Sequence, residues 1–441
     1  MPPYNSACET FQHGPARRLP PDNRLIRNRL HQASHSGALA TAIAVVGISL
    51  GLVARVTEAK TFLYADLQHF YRFAEVAFTS AHIQYYASVA DQTFTYAHLP
   101  LFPMLLAPFY RLGTLAGIEP IFVVKGLVHA FEIATVGLIV LYASRQAIPI
   151  VGATLVGLSW LGAPWVFEGG ALNAHVTAVA AFFLVAAVIR RDVPWQAGVF
   201  MALATTTRSE FIIPALAMAG WHMRCSVRAG LFYGAGATVL GGIVVGPYLL
   251  YDAAALHWGV LGHLQGRGDG LPVLRGFLEV FIGRFPQIFE GSQDWAMPLA
   301  TVLAPFIGWA SRDHSLGLLR ATLLYAAALT LGHGRYYVLP LPAGVLAAAT
   351  PTRWPWIPAV FVVEFFLPIA RNERWILRAV AIAAAFLWPL RRWARSTRTP
   401  PPESLESPLA PSAVARHASD ARTARAGPGF LRIPCFVEIA R

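Results

Sequence analysis

Uncharged apolar stretches, many of them near 20 residues long, recur along this chain from Gly37 to Leu390. A helix needs roughly 20 mostly apolar residues to cross the hydrocarbon core of a bilayer. The stretches show no alternation of period two, and they are longer than the roughly 10-residue strands of an outer-membrane barrel. The sequence therefore predicts an all-α polytopic membrane protein with about eleven or twelve transmembrane helices.

Composition supports a membrane protein and excludes several other classes. Hydrophobic residues make up 56% of the chain and charged residues 13%, a balance that water-soluble globular proteins rarely show. The net charge of +12 comes mainly from arginines in the tails and in short connections, which indicates membrane topology rather than nucleic-acid binding. No Walker-type nucleotide motif is present, which argues against an ATP-driven pump.

The cysteines predict no metal centre. Cys8, Cys225 and Cys435 lie far apart, and none has the spacing of a zinc ligand set. We therefore expect no cofactor and no metal ligands in the chain. The sequence does not decide whether the chain uses a divalent metal.

The two ends of the chain are predicted to be disordered and cytoplasmic. Residues 1–35 are polar and carry arginines ahead of the first apolar run, which by the positive-inside rule places the N-terminus in the cytoplasm. Residues 36–392 form the predicted transmembrane domain. Residues 393–441 lack a helical period and form the second predicted tail. The chain is thus expected to be a multi-pass protein of the plasma or inner membrane.

Two long polar segments, residues 57–98 and 251–295, are predicted to be outer loops. The first is rich in aromatic and titratable residues, and the second contains glycines that suit either a lid or a solvated connector. Arg190 and Arg191 should be cytoplasmic, yet counting every apolar run as a crossing places them outside. At least one run is therefore not expected to span; candidates are Leu99 to Tyr110 and the interrupted run 195–221.

Several short motifs occur in a fixed order along the apolar part of the chain. An acidic, aromatic segment follows the first apolar run, and a Tyr-x-x-x-Pro-Leu segment opens the next. The motifs are Tyr64-Ala-Asp66-Leu-Gln-His69, Tyr96-Ala-His98-Leu-Pro100, Asn173-Ala-His175, the helix from Ala197 that ends in Arg208-Ser-Glu210, and His333-Gly-Arg335-Tyr336-Tyr337-Val-Leu-Pro340. Together they resemble the C-type (GT-C) glycosyltransferases that use polyprenyl-phosphate sugars, and most closely their mannosyltransferase branch. The resemblance covers most of residues 37–390.

This resemblance implies a GT-C-like helical bundle with extracytoplasmic loops and an inverting transfer reaction. A hexose, with mannose as the expected sugar, would move from a polyprenyl-phosphate donor to a lipid-linked or cell-envelope glycan. By position, Asp66 would be the general base that accepts the proton of the acceptor hydroxyl. The resemblance also implies substrate-binding roles for Arg335, His333, Tyr336, His69, Arg208 and His98. Many relatives carry lysine where this chain has Arg208, and a guanidinium is not equivalent to an ammonium.

Each of these residues also has a purely structural interpretation. Asp66 could cap a helix or lie at the membrane interface, and Arg335 could extend to the interface beside an aromatic belt. Lys125, His129 and Glu132 fall on one helical face, where they could line a donor-lipid groove or form a structural polar cluster.

Two other functions remain open from the sequence. A secondary transporter or lipid flippase would use Lys125, Glu132, Glu364 and Arg208 as residues at mid-membrane depth. The halves of the chain show no convincing internal repeat, which argues against that class. A protein that keeps the fold and binds lipid without turnover is the third possibility. No nucleic-acid partner is expected.

Overall fold

A computed structural model describes residues 23–58, 65–89, 99–163, 166, 176–261, 293–328, 340–351, 353–355 and 357. These residues are helical and include no β-strand, which confirms the predicted all-α class for this part of the chain. Residues 1–390 form one compact unit, and the second unit, 391–441, lies outside the described residues together with the predicted C-terminal tail.

The described helices are named in chain order. They are α1 (Asn23–Glu58), α2 (Ala65–Val76), α3 (Tyr85–Val89), α4 (Leu101–Leu115), α5 (Pro120–Arg145), α6 (Ile150–Gly162), α7 (Thr177–Ile189), α8 (Pro194–Thr207), α9 (Ile212–Cys225), α10 (Val227–Leu261), α11 (Gln293–Ala310), α12 (His314–Ala328) and α13 (Pro340–Ala348). A short 3₁₀ turn, Ser80–His82, lies between α2 and α3, and another, Ser209–Phe211, separates α8 from α9.

Three of the described helices are long and apolar enough to cross a membrane. The candidate spans are His35–Thr57 in α1, Pro120–Arg145 in α5 and Val227–His257 in α10, while shorter apolar helices include α4, α6 and α7. Large apolar side chains such as Val53, Ile243 and Leu250 are exposed on α1 and α10. Exposed apolar surface of this kind marks a membrane or protein contact. The total number of spans remains a prediction.

Local sequence explains where several helices begin. Proline occupies the first position of α5 and α8, where its missing N–H would have no helical partner. Asp313 precedes α12, and its Oδ1 accepts a hydrogen bond from the Ser315 N–H at 2.9 Å. The Oγ of Ser226 accepts one from the Ala229 N–H at 3.0 Å at the start of α10. Side-chain caps thus mark two of the turns at which the chain reverses.

The predicted outer loop 251–295 begins with a kink rather than with the end of a helix. Asp252 has a non-helical backbone (φ −156°, ψ 92°), and its Oδ1 accepts a hydrogen bond from the Ala255 N–H at 2.9 Å. The helical backbone then continues to Leu261. A side chain that bonds to the backbone three residues later restarts the helix in a new direction.

Helices α9 and α11 pack backbone against backbone through glycine. A Cβ atom at Gly220 would overlap the carbonyl oxygen of Pro305, and one at Gly308 would overlap that of Ala217. Small residues that allow such close approach are typical of helix contacts in membranes, where van der Waals packing replaces the hydrophobic effect. The two glycines therefore set the distance between α9 and α11.

We expect Gly308→Ala to destabilise the protein by about 1–3 kcal/mol, because the added methyl group has no space against Ala217. Gly241→Ala in α10 is the matched control, since nothing lies within 4 Å of a Cβ there. Thermal unfolding in detergent measures the difference. Equal melting temperatures for the two variants would contradict the packing argument.

Candidate functional site

Of the residues that the family resemblance singles out, the structure describes three at least in part. Asp66 and His69 lie in the first two turns of α2, and their side chains are outside the described part. Arg208 lies between α8 and α9 and is described in full. The remaining candidates all lie outside the described residues; they are His98, His333, Arg335 and Tyr336.

Helix α2 is held on α4 by aromatic contacts along both helices. The Phe70 ring meets the Phe102 ring edge to face at 4.9 Å between centroids, and Tyr71 stacks on Tyr110 at 5.7 Å. The Tyr110 hydroxyl donates a hydrogen bond to the Glu75 carboxylate at 3.2 Å. Edge-to-face and stacked aromatic pairs add to the burial of their surfaces. The helix that contains Asp66 is therefore a fixed element and not a loose loop.

A second aromatic cluster joins α2 and α3 to α10. Phe73 is fully buried and contacts Tyr85 at 4.9 Å between ring centroids, while Tyr86 meets Tyr248 of α10 edge to face at 5.4 Å. Residues 65–89 thus pack as a small platform, defined here as α2, the turn Ser80–His82 and α3, against α4 and α10. The platform lies within the segment predicted to be the first outer loop.

One polar group in this platform is buried without a partner. The Tyr71 hydroxyl makes no hydrogen bond with any described residue. Burial raises the pKa of Tyr71 to about 12, with a smaller contribution from Tyr110. The hydroxyl therefore stays protonated at neutral pH and can donate a hydrogen bond to a ligand or to water. It belongs to the helix that carries Asp66 and His69.

Arg208 lies at a break between two helices and is buried with an acidic partner. Its backbone is extended (φ −148°, ψ 119°), which ends α8 and turns the chain toward α9. Its Nη2 lies 2.7 Å from Oε1 of Glu210, and both side chains are largely buried. The partners are two positions apart in the chain, and side chains with this spacing do not face each other on a helix. The pairing therefore depends on the break itself.

A second buried charge network joins α1, α5 and α6. The Nε of Arg55 donates to Oε2 of Glu132 at 2.6 Å, and Nδ1 of His129 lies 3.0 Å from the same oxygen. Nη2 of Arg55 donates to the Leu161 carbonyl at 2.9 Å, near the C-terminus of α6. Arg55 is 2% exposed and Glu132 is fully buried. Arg55 thus neutralises Glu132 and occupies a carbonyl that the end of α6 leaves free.

This network keeps two polar atoms without a hydrogen-bond partner among the described residues, namely Oε1 of Glu132 and Nε2 of His129. Lys125, one turn before His129, is buried as well. Buried ionisable groups are costly in an apolar environment and need a partner, water or a ligand. The arrangement fits a structural clamp between helices, with two polar atoms left to bind water.

A third polar cluster, which the sequence did not indicate, lies where α5, α7, α9 and α12 meet. Nη1 of Arg191 lies 3.3 Å from Nε2 of His314, and the hydroxyls of Tyr142 and Ser315 are 3.0 Å apart. The ring of Trp221 lies 5.4 Å from that of His314. The residues come from distant parts of the chain with no common spacing, so no sequence pattern would find them. Beside these residues, a local sequence pattern could indicate only Asp313, which caps the start of α12.

No group of three or more His, Cys, Asp or Glu side chains able to hold a metal occurs in the described part of the chain. A search with protein-family models and a search of curated proteins both return no match for this sequence. The geometry of the described residues and the motifs in the sequence therefore carry the functional argument.

Proposed function

We propose that the chain is a GT-C-like membrane glycosyltransferase that moves a hexose, with mannose as the expected sugar, from a polyprenyl-phosphate donor to a lipid-linked or cell-envelope glycan. The observation that carries the proposal is the platform of α2 and α3. It is a short, aromatic, non-spanning element that packs on apolar helices and contains Asp66 and His69. A site for a lipid-phosphate substrate needs polar groups of this kind beside apolar helices.

In the proposed reaction, the Asp66 carboxylate accepts the proton of the acceptor hydroxyl. The acceptor oxygen forms a bond to the anomeric carbon as the bond from that carbon to the phosphate oxygen breaks, which inverts the configuration. The electron pair of the broken bond leaves with the polyprenyl phosphate. Cationic and hydrogen-bonding groups stabilise such a leaving group, and Arg335, His333 and Tyr336 are assigned that role. His69 and His98 are assigned to the sugar and acceptor.

Arg208 receives a different role in this proposal. Glu210 offsets its charge at 2.7 Å, and both side chains are largely buried in the break between α8 and α9. A cation that is already paired in this way is less suited to a phosphate than an unpaired one. We assign Arg208 to holding the break in shape rather than to direct contact with the donor.

A transfer assay in isolated membranes tests the proposal. Labelled polyprenyl-phosphate mannose is supplied to membranes with and without the expressed chain, and label is followed into glycan and into the vesicle lumen. We expect label in glycan only when the chain is present. Donor that stays intact and does not enter the lumen would overturn the proposal, and it would leave lipid binding without turnover as the remaining role of the fold.

The buried network of Arg55, His129 and Glu132 favours a second candidate, a secondary transporter or lipid flippase. Ionisable groups inside membrane-spanning helices often mark a substrate or proton path, and two polar atoms of this network have no partner among the described residues. The same assay distinguishes the two functions. Intact donor that moves to the lumen, without label in glycan, would support transport in place of transfer.

A further inference from the structure

Seven arginines lie at helix ends that come together on one side of the described helices. They stand in the last turns or in the connections that follow α5, α7, α9 and α13, and at the starts of α10 and α12. We define the arginine face by these residues: Arg145, Arg190, Arg191, Arg224, Arg228, Arg312 and Arg353. Only two acidic residues, Asp192 and Asp313, lie in the same described connections.

Direct contacts join these helix ends. The end of α7 meets the start of α12 through Arg191 and His314, and the end of α5 meets it through Tyr142 and Ser315. Arg224 near the end of α9 lies 3.4 Å from the carbonyl oxygen of Trp309 near the end of α11. The face is therefore assembled from at least five helices.

The start of α6 and the segment after α13 meet on the same side. A Cβ atom at Gly152 would lie 2.9 Å from the Trp354 ring, and Trp354 is the neighbour of Arg353. Helix α1 runs in the same direction as α6, because Gly47 faces Leu158 and Gly51 faces Leu161. The N-terminal part of α1 therefore points toward the arginine face.

The helix ends away from this face carry a different charge balance. Among residues whose side chains the structure describes, they hold four arginines against four acids: Arg55, Arg72, Arg111 and Arg208, and Glu75, Glu119, Glu210 and Asp252. An excess of arginine on one side only is the pattern that sets orientation in a membrane. Exposed arginines on that side also suit the anionic lipid headgroups of the cytoplasmic leaflet.

Helix α4 has both of its ends far from the arginine face. Met104 lies beside Tyr248, its Sδ 3.9 Å from the hydroxyl, and Tyr248 follows Arg228 by 20 residues, which is about 30 Å of helix. Gly113 faces Val123, which precedes Arg145 by 22 residues, or about 33 Å. Met104 and Gly113 therefore lie at nearly the same distance from the arginine face, although they are nine positions apart on α4.

We infer that the arginine face binds the anionic lipid headgroups of the cytoplasmic leaflet, and that α4 does not cross the membrane but lies near the opposite surface, about 30 Å away. The platform of α2 and α3 then lies at that outer surface together with α4. The rise per residue of a helix, applied to α5 and α8, places Glu132 and Arg208 about 20 Å from the arginine face, within the hydrocarbon core. A non-spanning α4 also removes the parity conflict around Arg190 and Arg191. Lipid binding by the arginine face and the position of α4 do not depend on whether the chain is a transferase or a transporter.

Labelling of single cysteines tests the path of α4. In a chain whose three native cysteines are replaced by serine, one cysteine is introduced at Ser80, at Ile118 or at Asp192, all exposed positions. Ser80 and Ile118 flank α4, and Asp192 lies on the arginine face. A membrane-impermeant maleimide is then applied to right-side-out and to inverted vesicles.

We expect cysteines at 80 and 118 to react only in right-side-out vesicles, and the cysteine at 192 only in inverted ones. Reaction of 80 and 118 from opposite sides would show that α4 crosses and would overturn the inference. So would reaction of the cysteine at 192 from the right-side-out surface. Neither outcome depends on sugar transfer, so failure here is distinct from failure of the proposed function.

The lipid contact has its own test. We expect phosphatidylglycerol, compared with phosphatidylcholine, to raise the melting temperature of the purified chain. The combined variant Arg190→Gln/Arg228→Gln, at two exposed positions of the face, should lose most of that increase. The matched control is Arg72→Gln/Arg111→Gln at exposed positions on the other side. An equal increase in both variants would overturn the assignment of the face.

Discussion

Replacement of Glu132 with alanine is expected to lower the free energy of unfolding by about 3–5 kcal/mol. The change removes the carboxylate that Arg55 contacts at 2.6 Å and leaves a guanidinium 2% exposed between α1, α5 and α6. An uncompensated buried charge costs more than the lost contact is worth. Thermal or chemical unfolding in detergent measures the effect, with Glu119→Ala as control, because Glu119 is exposed and makes no side-chain hydrogen bond at the start of α5.

The double variant Arg55→Met/Glu132→Leu separates the effect of charge from the effect of packing in this network. Apolar side chains of similar volume can replace a buried ion pair with little loss or even a gain in stability. We expect the double variant to recover most of the stability that Glu132→Ala loses. If both variants are equally unstable, the packing of Arg55 against the end of α6 dominates and the charge argument is wrong.

Asp66→Asn is expected to reduce sugar transfer by about 10²–10⁴-fold, the range that a positioned general base contributes. Asparagine keeps the size and polarity of the side chain and cannot accept the proton. Transfer by isolated membranes at matched expression measures the loss. Asp192→Asn makes the same chemical change at an exposed position on the arginine face and should keep the wild-type rate. Wild-type activity in Asp66→Asn would remove this residue as the base.

Local sequence patterns predicted those features of the fold that depend only on residues close together in the chain. The i, i+4, i+7 spacing of Lys125, His129 and Glu132 placed them on one face of α5, where all three are buried. The polar interruption in the run 195–221 corresponds to the break at Arg208 and to the 3₁₀ turn that follows it. Both features follow from helical geometry and from the cost of burying polar groups.

Contacts between distant residues could not be read from the sequence. Arg55 and Glu132 are 77 residues apart, and nothing in either segment indicates that they meet. The parity conflict around Arg190 predicts that at least one apolar run does not span, but α4 is singled out only by its contacts with Tyr248 and Val123. Periodicity gives the face of a helix; it does not give the partner or the depth in a membrane.

We propose above that this chain transfers a sugar from a lipid phosphate. Its most direct test uses the purified chain in liposomes that contain labelled polyprenyl-phosphate mannose and a glycolipid acceptor, with no other protein present. We expect the wild-type chain to release free polyprenyl phosphate and to form labelled acceptor in equal molar amounts. We expect neither product with Asp66→Asn. Intact donor and unlabelled acceptor after incubation with a folded wild-type chain would contradict the proposal.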